Sequence, residues 1–181
     1  MMNKKLIIFI GLLIVLLAIN VIFSMHVYKT KQTSVVKTVE TVEINPYDLH
    51  CLSQNIYHEA RGQSYLGQLA VGFVTLNRVK DSRFPSTICE VVFQAKKTPN
   101  GKIIKNECQF SWFCDSKSDM INDVKTFVEI HKISHLLLTN PPLDVTHGAT
   151  FYHSVRVKPS WAKQKDKTVR IDDHIFYKWK E

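Results

Sequence analysis

Glu59 is the first residue whose type and place suggest chemistry. Leu49, Leu52, Ile56 and Glu59 recur at helical spacing, on one face of a helix that Asn45 caps and Pro46 opens. A carboxyl group that continues an apolar stripe points inward, where desolvation raises its pKa. Gly62 offers a left-handed stop, which places Glu59 near the helix C-terminus, where the dipole disfavours negative charge. Both effects keep a proton on the group near neutral pH, as a general acid requires. The alternative is a structural ion pair with Arg61 or Arg78.

Other chemistries have weaker support. His58-Glu59 begins an H-E-x-x-H zinc signature, but the second ligand position is Gly62. His147, His153 and His174 could converge on a metal, yet no pair has ligand spacing on a predicted helix, and no metal or cofactor is expected. No G-x-S-x-G elbow is present. Cys108, before Gln109-Phe110-Ser111-Trp112, is a candidate nucleophile, though a disulfide or buried role suits it better outside the cytoplasm. The 4 cysteines allow three full pairings; Cys108 and Cys114 are near enough in sequence to close a small loop, and buried free thiols are the alternative.

The elements that must position these groups are legible in outline. A second helix is expected from Ser64 to Lys80, with Leu66, Leu69, Ala70, Phe73 and Leu76 as its stripe and Gly67 and Gly72 marking close contacts. Pro85-Ser86-Thr87 caps a short apolar stretch from Ile88 to Phe93, and Ala95 to Asn106 reads as a basic loop. A third long helix should run from Ser118 or Asp119 through Leu138, with Ile121, Val124, Phe127, Val128 and His131 inward. Ala149 to Val155 is β-prone, and Val169 to Tyr177 reads as a hairpin turning at Asp172-Asp173. Helices first and strands after give an α+β domain over residues 46–181.

Residues 1–25 form the expected anchor. Leu6 to Met25 carries no charge, and a helix of that length rises about 30 Å, the thickness of a bilayer core. Lys4 and Lys5 put its N-terminus inside and the domain outside. The exit, Ile22 to His26, lacks an A-x-A-like cleavage site, so the segment is expected to stay as a transmembrane helix. Residues 26–45 read as an extended linker. Lys plus Arg outnumber Asp plus Glu by 24 to 16, which favours an anionic partner or simply adds solubility. The outside location argues against nucleic acid.

Tyr57-His58-Glu59-Ala60-Arg61-Gly62-Gln63, then Gly67-Gln68, Ala70-Val71 and Asn77-Arg78-Val79, resemble the SleB-type cell wall hydrolases, which include spore cortex-lytic enzymes. Phe84-Pro85, Val91 to Gln94, Gln109 to Trp112, His147 to His153, Pro159-Ser160-Trp161 and His174 to Tyr177 continue the match, which spans about Leu49 to Lys178. Gln63, His153 and the Asp172-Asp173 turn depart from the usual residues of that family.

The resemblance implies a compact helical core like that of lytic transglycosylases and goose-type lysozymes, with a small C-terminal antiparallel sheet. It implies cleavage of peptidoglycan between N-acetylmuramic acid and N-acetylglucosamine. Its catalytic glutamate falls on Glu59. Gln109, Ser111, Tyr152, His153 and Trp161 lie in or beside matched motifs and have the amide, hydroxyl and ring chemistry that binds sugars. The partners expected are glycan strands and, through the N-terminal helix, a membrane, with the protein itself a monomer. The competing functions are a metal-dependent wall amidase or peptidase and a non-catalytic wall-binding protein.

Overall fold

The computed structural model describes residues 3–35 and 43–180, and at Leu6 and within 30–35 the backbone alone. The chain divides into two units, 1–42 and 43–181. In the first, helix α1 spans Lys4–Val35. Its segment Ile7–Lys29 is the one described helix long and apolar enough to cross a membrane. The helix does not end at Met25, so the expected extended linker is helical at its start; the part of it at 36–42 lies outside the described residues.

In the second unit, α2 spans Pro46–Ala60 and α3 spans Tyr65–Lys80. The Asn45 side chain accepts from the Tyr47 N–H at 2.9 Å and Pro46 opens α2, as the sequence indicated. Ser64 caps α3 through the Gly67 N–H. Gly62 is not the left-handed stop expected of it. The chain leaves α2 through Arg61 in right-handed geometry and recaps within a few residues, so no reversal is required there. Gly72 does fulfil its expectation: a Cβ there would collide with Leu137 and press on Ile56, so its absence lets α3 lie close to its neighbours.

Thr87 caps the short α4, Ile88–Val92. Cys51–Cys89 ties α2 to α4, and Cys108–Cys114 closes the small loop. The region expected as a loop, Ala95 to Asn106, instead contributes a two-stranded antiparallel ribbon, β1 (Ala95–Lys97) with β2 (Ile103–Cys108). Its residues are mostly exposed and polar, so no hydrophobic alternation advertised the strands.

Helix α5, Val124–Thr139, starts later than expected, capped by Asp123 rather than Ser118 or Asp119. The Tyr57 hydroxyl accepts from the Asp123 N–H at 3.0 Å and sets that start. Its buried face is also rotated from the expected one. Ile130, Ile133, Ser134 and Leu137 are buried, whereas Val124 and Val128 are 65% and 47% exposed. These helices enclose the main core around Leu52, Ile56, Val91 and Ile130.

The C-terminal sheet has the strand order β3-β5-β4, all antiparallel: β3 Phe151–Ser154, β4 Lys165–Ile171, β5 His174–Trp179. The hairpin joins Ile171 to His174 across the expected two residues, with Asp172 at φ 48°, the positive value such a tight turn needs. One sheet face packs on α3, where Ile171, Ala149 and Phe176 meet Ala70 and Val74. The domain is thus the expected α+β arrangement of helical core and small sheet.

Candidate active site

Glu59 sits in the last turn of α2, half-buried, where the helical core meets the sheet. The Tyr152 hydroxyl of β3 donates to its Oε2 at 2.9 Å. Burial pushes the Glu59 carboxyl above the ordinary carboxylate range, while the Tyr152 hydrogen bond and the Arg78 charge pull it back. Burial and the neighbouring carboxylate hold the Tyr152 phenol neutral. No ion pair to Glu59 is found among the described residues, so neither Arg61 nor Arg78 neutralises it by direct contact.

A cleft of about 290 Å³ opens beside Glu59, lined also by His58, Arg61, Ser111, Trp112, Asp115 and Asp119. Its wall is rigidly built. Trp112 Nε1 donates to Asn55 Oδ1 at 3.0 Å, and Asn55 Nδ2 donates to Thr75 Oγ1 at 3.1 Å. The His58 ring stacks on Trp112 with centroids 4.4 Å apart. Burial lowers the His58 pKa against the opposing pull of Asp119, so the imidazole is neutral at pH 7. The arrangement offers one carboxyl whose hold on its proton is strengthened by burial, one neutral imidazole and an indole wall in the same opening. That suits proton donation to a polar, uncharged substrate.

The Cell Wall Hydrolase family matches residues 62–177, beginning just after Glu59. The chain belongs to that family. Among curated relatives, the spore cortex-lytic enzyme of Halalkalibacterium halodurans is 30% identical over 130 residues, 71% of this chain and 34% of its own length. That of Bacillus cereus is 43% identical over 49 residues, 27% of this chain and 19% of its own. The chain therefore spans about a third or less of these relatives. The catalytic domain of the germination-specific lytic transglycosylase SleB from Bacillus anthracis superposes with a TM-score of 0.57 at 25% identity, covering 76% of this chain and 98% of the other. The catalytic domain of Bacillus cereus SleB shares the fold, with a TM-score of 0.53 at 24% identity over 78% of this chain and 98% of the other.

The cell wall hydrolase domain gathers only part of the residues singled out from sequence. Ser111 lines the Glu59 cleft and Tyr152 touches the carboxyl itself. Gln109 faces a neighbouring cleft of about 240 Å³ along the ribbon, with Gln94 and Asn106. His153 and Trp161 are elsewhere. Adjacent strand residues point to opposite faces, and His153 follows Tyr152. Its ring stacks on Tyr177 and packs against Trp161 on the far side of the sheet. Both His153 nitrogens are engaged there, with the Ser154 carbonyl at 2.8 Å and the Tyr177 hydroxyl at 2.9 Å. Among the described residues no group of three His, Cys, Asp or Glu side chains is gathered as a metal site.

Sequence reasoning missed three contributors. His58 was considered only as a metal ligand, yet it walls the cleft. Asn55 looked like one polar residue in a helix, although its place three after Leu52 and four before Glu59 puts it beside the apolar stripe, where it is buried and brackets Trp112. Asn77 was noticed only as part of a motif; its Nδ2 reaches Asp144, Thr146 and the Ala149 carbonyl, and so fixes the loop that leads into β3.

Proposed function

We propose that this domain cleaves peptidoglycan glycan strands between N-acetylmuramic acid and N-acetylglucosamine as a lytic transglycosylase, with Glu59 as acid and then base. Family membership and the likeness to the Bacillus anthracis lytic transglycosylase domain support the substrate class. The observation that carries the chemistry is the Glu59 carboxyl, its pKa raised and its geometry held by Tyr152, at the edge of an open cleft.

Glu59 gives its proton to the glycosidic oxygen as the bond from muramic C1 breaks, and the N-acetylglucosamine side leaves as an alcohol. The positive charge at C1 faces the new carboxylate. The muramic 6-hydroxyl attacks C1, and Glu59 takes that hydroxyl proton. An anhydro ring closes, and the carboxyl returns to its starting state. Ser111, which lines the Glu59 cleft, and Gln109, which lines the neighbouring one, bind the strand in this reading.

A second reading has one specific observation in its favour. Asp115 and Asp119 line the same cleft, and a second carboxylate allows hydrolysis by water. Mass spectrometry of digested sacculi separates the two: anhydro-muramic ends support transglycosylation, reducing ends hydrolysis. Freed amino termini would instead mean an amidase or peptidase, and wall binding without cut products a non-catalytic protein.

We further propose that Ile7–Lys29 anchors the domain in a membrane with the N-terminus inside. Carbonate-washed membranes from an expressing strain should retain the full-length chain. A soluble product beginning after Met25 would mean a cleaved signal sequence instead.

A further inference from the structure

Arg78 is the charged group that the chemistry above leaves unused. It lies in the last turn of α3, 4% exposed, with its guanidinium between the rings of Phe84 and Phe110, 5.3 and 4.8 Å from their centroids. Nε donates to the Thr150 carbonyl at 2.8 Å, two residues before Tyr152. Nη1 is buried and has no hydrogen-bond partner among the described residues. A buried cation with a spare N–H is destabilising unless something offsets it. Among the described residues no carboxylate pairs with it, yet Glu59 and Tyr152 both lie within its electrostatic reach.

We infer that Arg78 is the positioning residue that lets one carboxyl group serve as both acid and base. It pins the peptide entering β3 so that Tyr152 meets Glu59, and its fixed charge compensates the carboxylate formed when Glu59 releases its proton. This rests on the transglycosylase reading above. The physical need is plain. Burial alone favours a protonated Glu59, which makes a reluctant donor and leaves a costly bare carboxylate after transfer. A cation held a short distance away, without direct contact, stabilises that carboxylate and does not abolish the acid form. Burial lowers the guanidinium to about 10, so it remains charged at pH 7. Tyr152 also faces Glu59, and His58, Arg61, Lys117, Asp115 and Asp119 surround the cleft. Of these cations only Arg78 is deeply buried; Arg61 and Lys117 are exposed and screened.

The test uses the full chain on purified sacculi. Arg78→Gln keeps an N–H for the Thr150 carbonyl and removes the charge. Arg78→Lys keeps a charge at shorter reach. The rate should fall roughly tenfold or more in Arg78→Gln, and the alkaline limb of its pH–rate profile should move up by about one unit, the shift expected for a tenfold change in interaction. Arg78→Lys should fall between Arg78→Gln and the wild type. Equal slowing of both variants with the limb unmoved would make Arg78 a purely structural residue and overturn the inference. Should Arg78→Gln fail to fold, carbon-13 titration of the Glu59 carboxyl in Arg78→Met, which keeps the apolar stem and removes the charge, decides: a raised midpoint supports the inference and one equal to the wild type overturns it. Glu59→Gln is assayed in parallel. If that variant keeps the wild-type rate, the transglycosylase reading falls together with this inference. If it is inactive while the limb stays fixed in Arg78→Gln, only the role of Arg78 falls.

Discussion

The two faces of β3 share a strand and little else. On the inner face, Tyr152 pairs across to Phe176 and reaches Glu59, with Ala70 and Val74 of α3 behind the sheet. On the outer face, Phe151 and His153 pack with Trp161, Tyr177 and Trp179. Lys165 Nζ lies 4.5 Å from the Phe151 centroid. The inner face uses a hydroxyl to tune a carboxyl group. The outer face engages both nitrogens of His153 within itself and stacks its own rings, as a small core does. Neighbouring aromatic residues in a strand therefore need not share a function. Their one-residue offset alone assigns them to chemistry or to packing.

The largest expected effect isolates the inner face. Glu59→Gln keeps the shape and a hydrogen bond to Tyr152 but has no acid proton to transfer. Sacculus digestion should fall roughly 10²–10⁴-fold, the usual range for general acid–base catalysis. A wild-type rate would remove Glu59 from the mechanism. The same variant reads the environment through stability. The raised carboxyl pKa means that the fold binds that proton more tightly than the unfolded chain does. Its stabilisation is complete below the ordinary carboxylate range and is lost as pH rises through the raised value. Gln does not titrate, so the thermal midpoint of Glu59→Gln relative to the wild type should rise as pH climbs from the ordinary carboxylate range through the raised value. A difference that stays constant with pH would show that the carboxyl is not desolvated.

Tyr152→Phe is the next largest. The lost hydroxyl favoured the carboxylate, so the alkaline limb of activity should shift upward and the rate fall roughly tenfold. An unmoved limb would reduce Tyr152 to packing and blur the distinction between the faces.

Trp161→Ala should do the opposite. It removes a half-buried ring from the outer cluster and should cost about 1–3 kcal/mol in urea unfolding, less than a fully buried aromatic. Activity per folded molecule should hold. Lost activity with unchanged stability would place glycan on the outer face as well. His153→Asn gives up the stacking on Tyr177 and should cost about 1 kcal/mol, with no effect on rate. Prolonged chelation should have no effect at all; a loss restored by zinc would promote His147, His153 and His174 to ligands.

Much of the fold could be read along the chain because its signals are local. Asn45-Pro46 and Thr87 cap the helices they were expected to cap, and the helix expected from Ser64 begins there with Ser64 as its cap, since a cap needs only its own N–H neighbours. The hairpin at Asp172-Asp173 is equally local. The start of α5 is not. Tyr57, 66 positions earlier, fixes Asp123 as its cap, and the helix then turns Ile130, Ile133 and Leu137 inward rather than Val124 and Val128. Apolar residues occur on more than one side of that helix, so periodicity alone did not choose between them. The ribbon at Ala95–Cys108 was illegible for the reverse reason: exposed lysines and a single asparagine bend carry no burial pattern.

The sequence by itself determined the apolar N-terminal helix, the α+β order and the identity of Glu59 as the carboxyl aimed inward, because each depends on spacing along a single element. Only the tertiary structure decided what surrounds that carboxyl. Tyr152 is 93 positions away and Arg78 reaches it through a loop at Thr150. Whether a strand residue meets Glu59 or turns its back on it depends on which sheet face packs against α3. That choice is made when Ile171 and Phe176 bury against Ala70 and Val74, an event with no trace in the spacing of the motifs themselves.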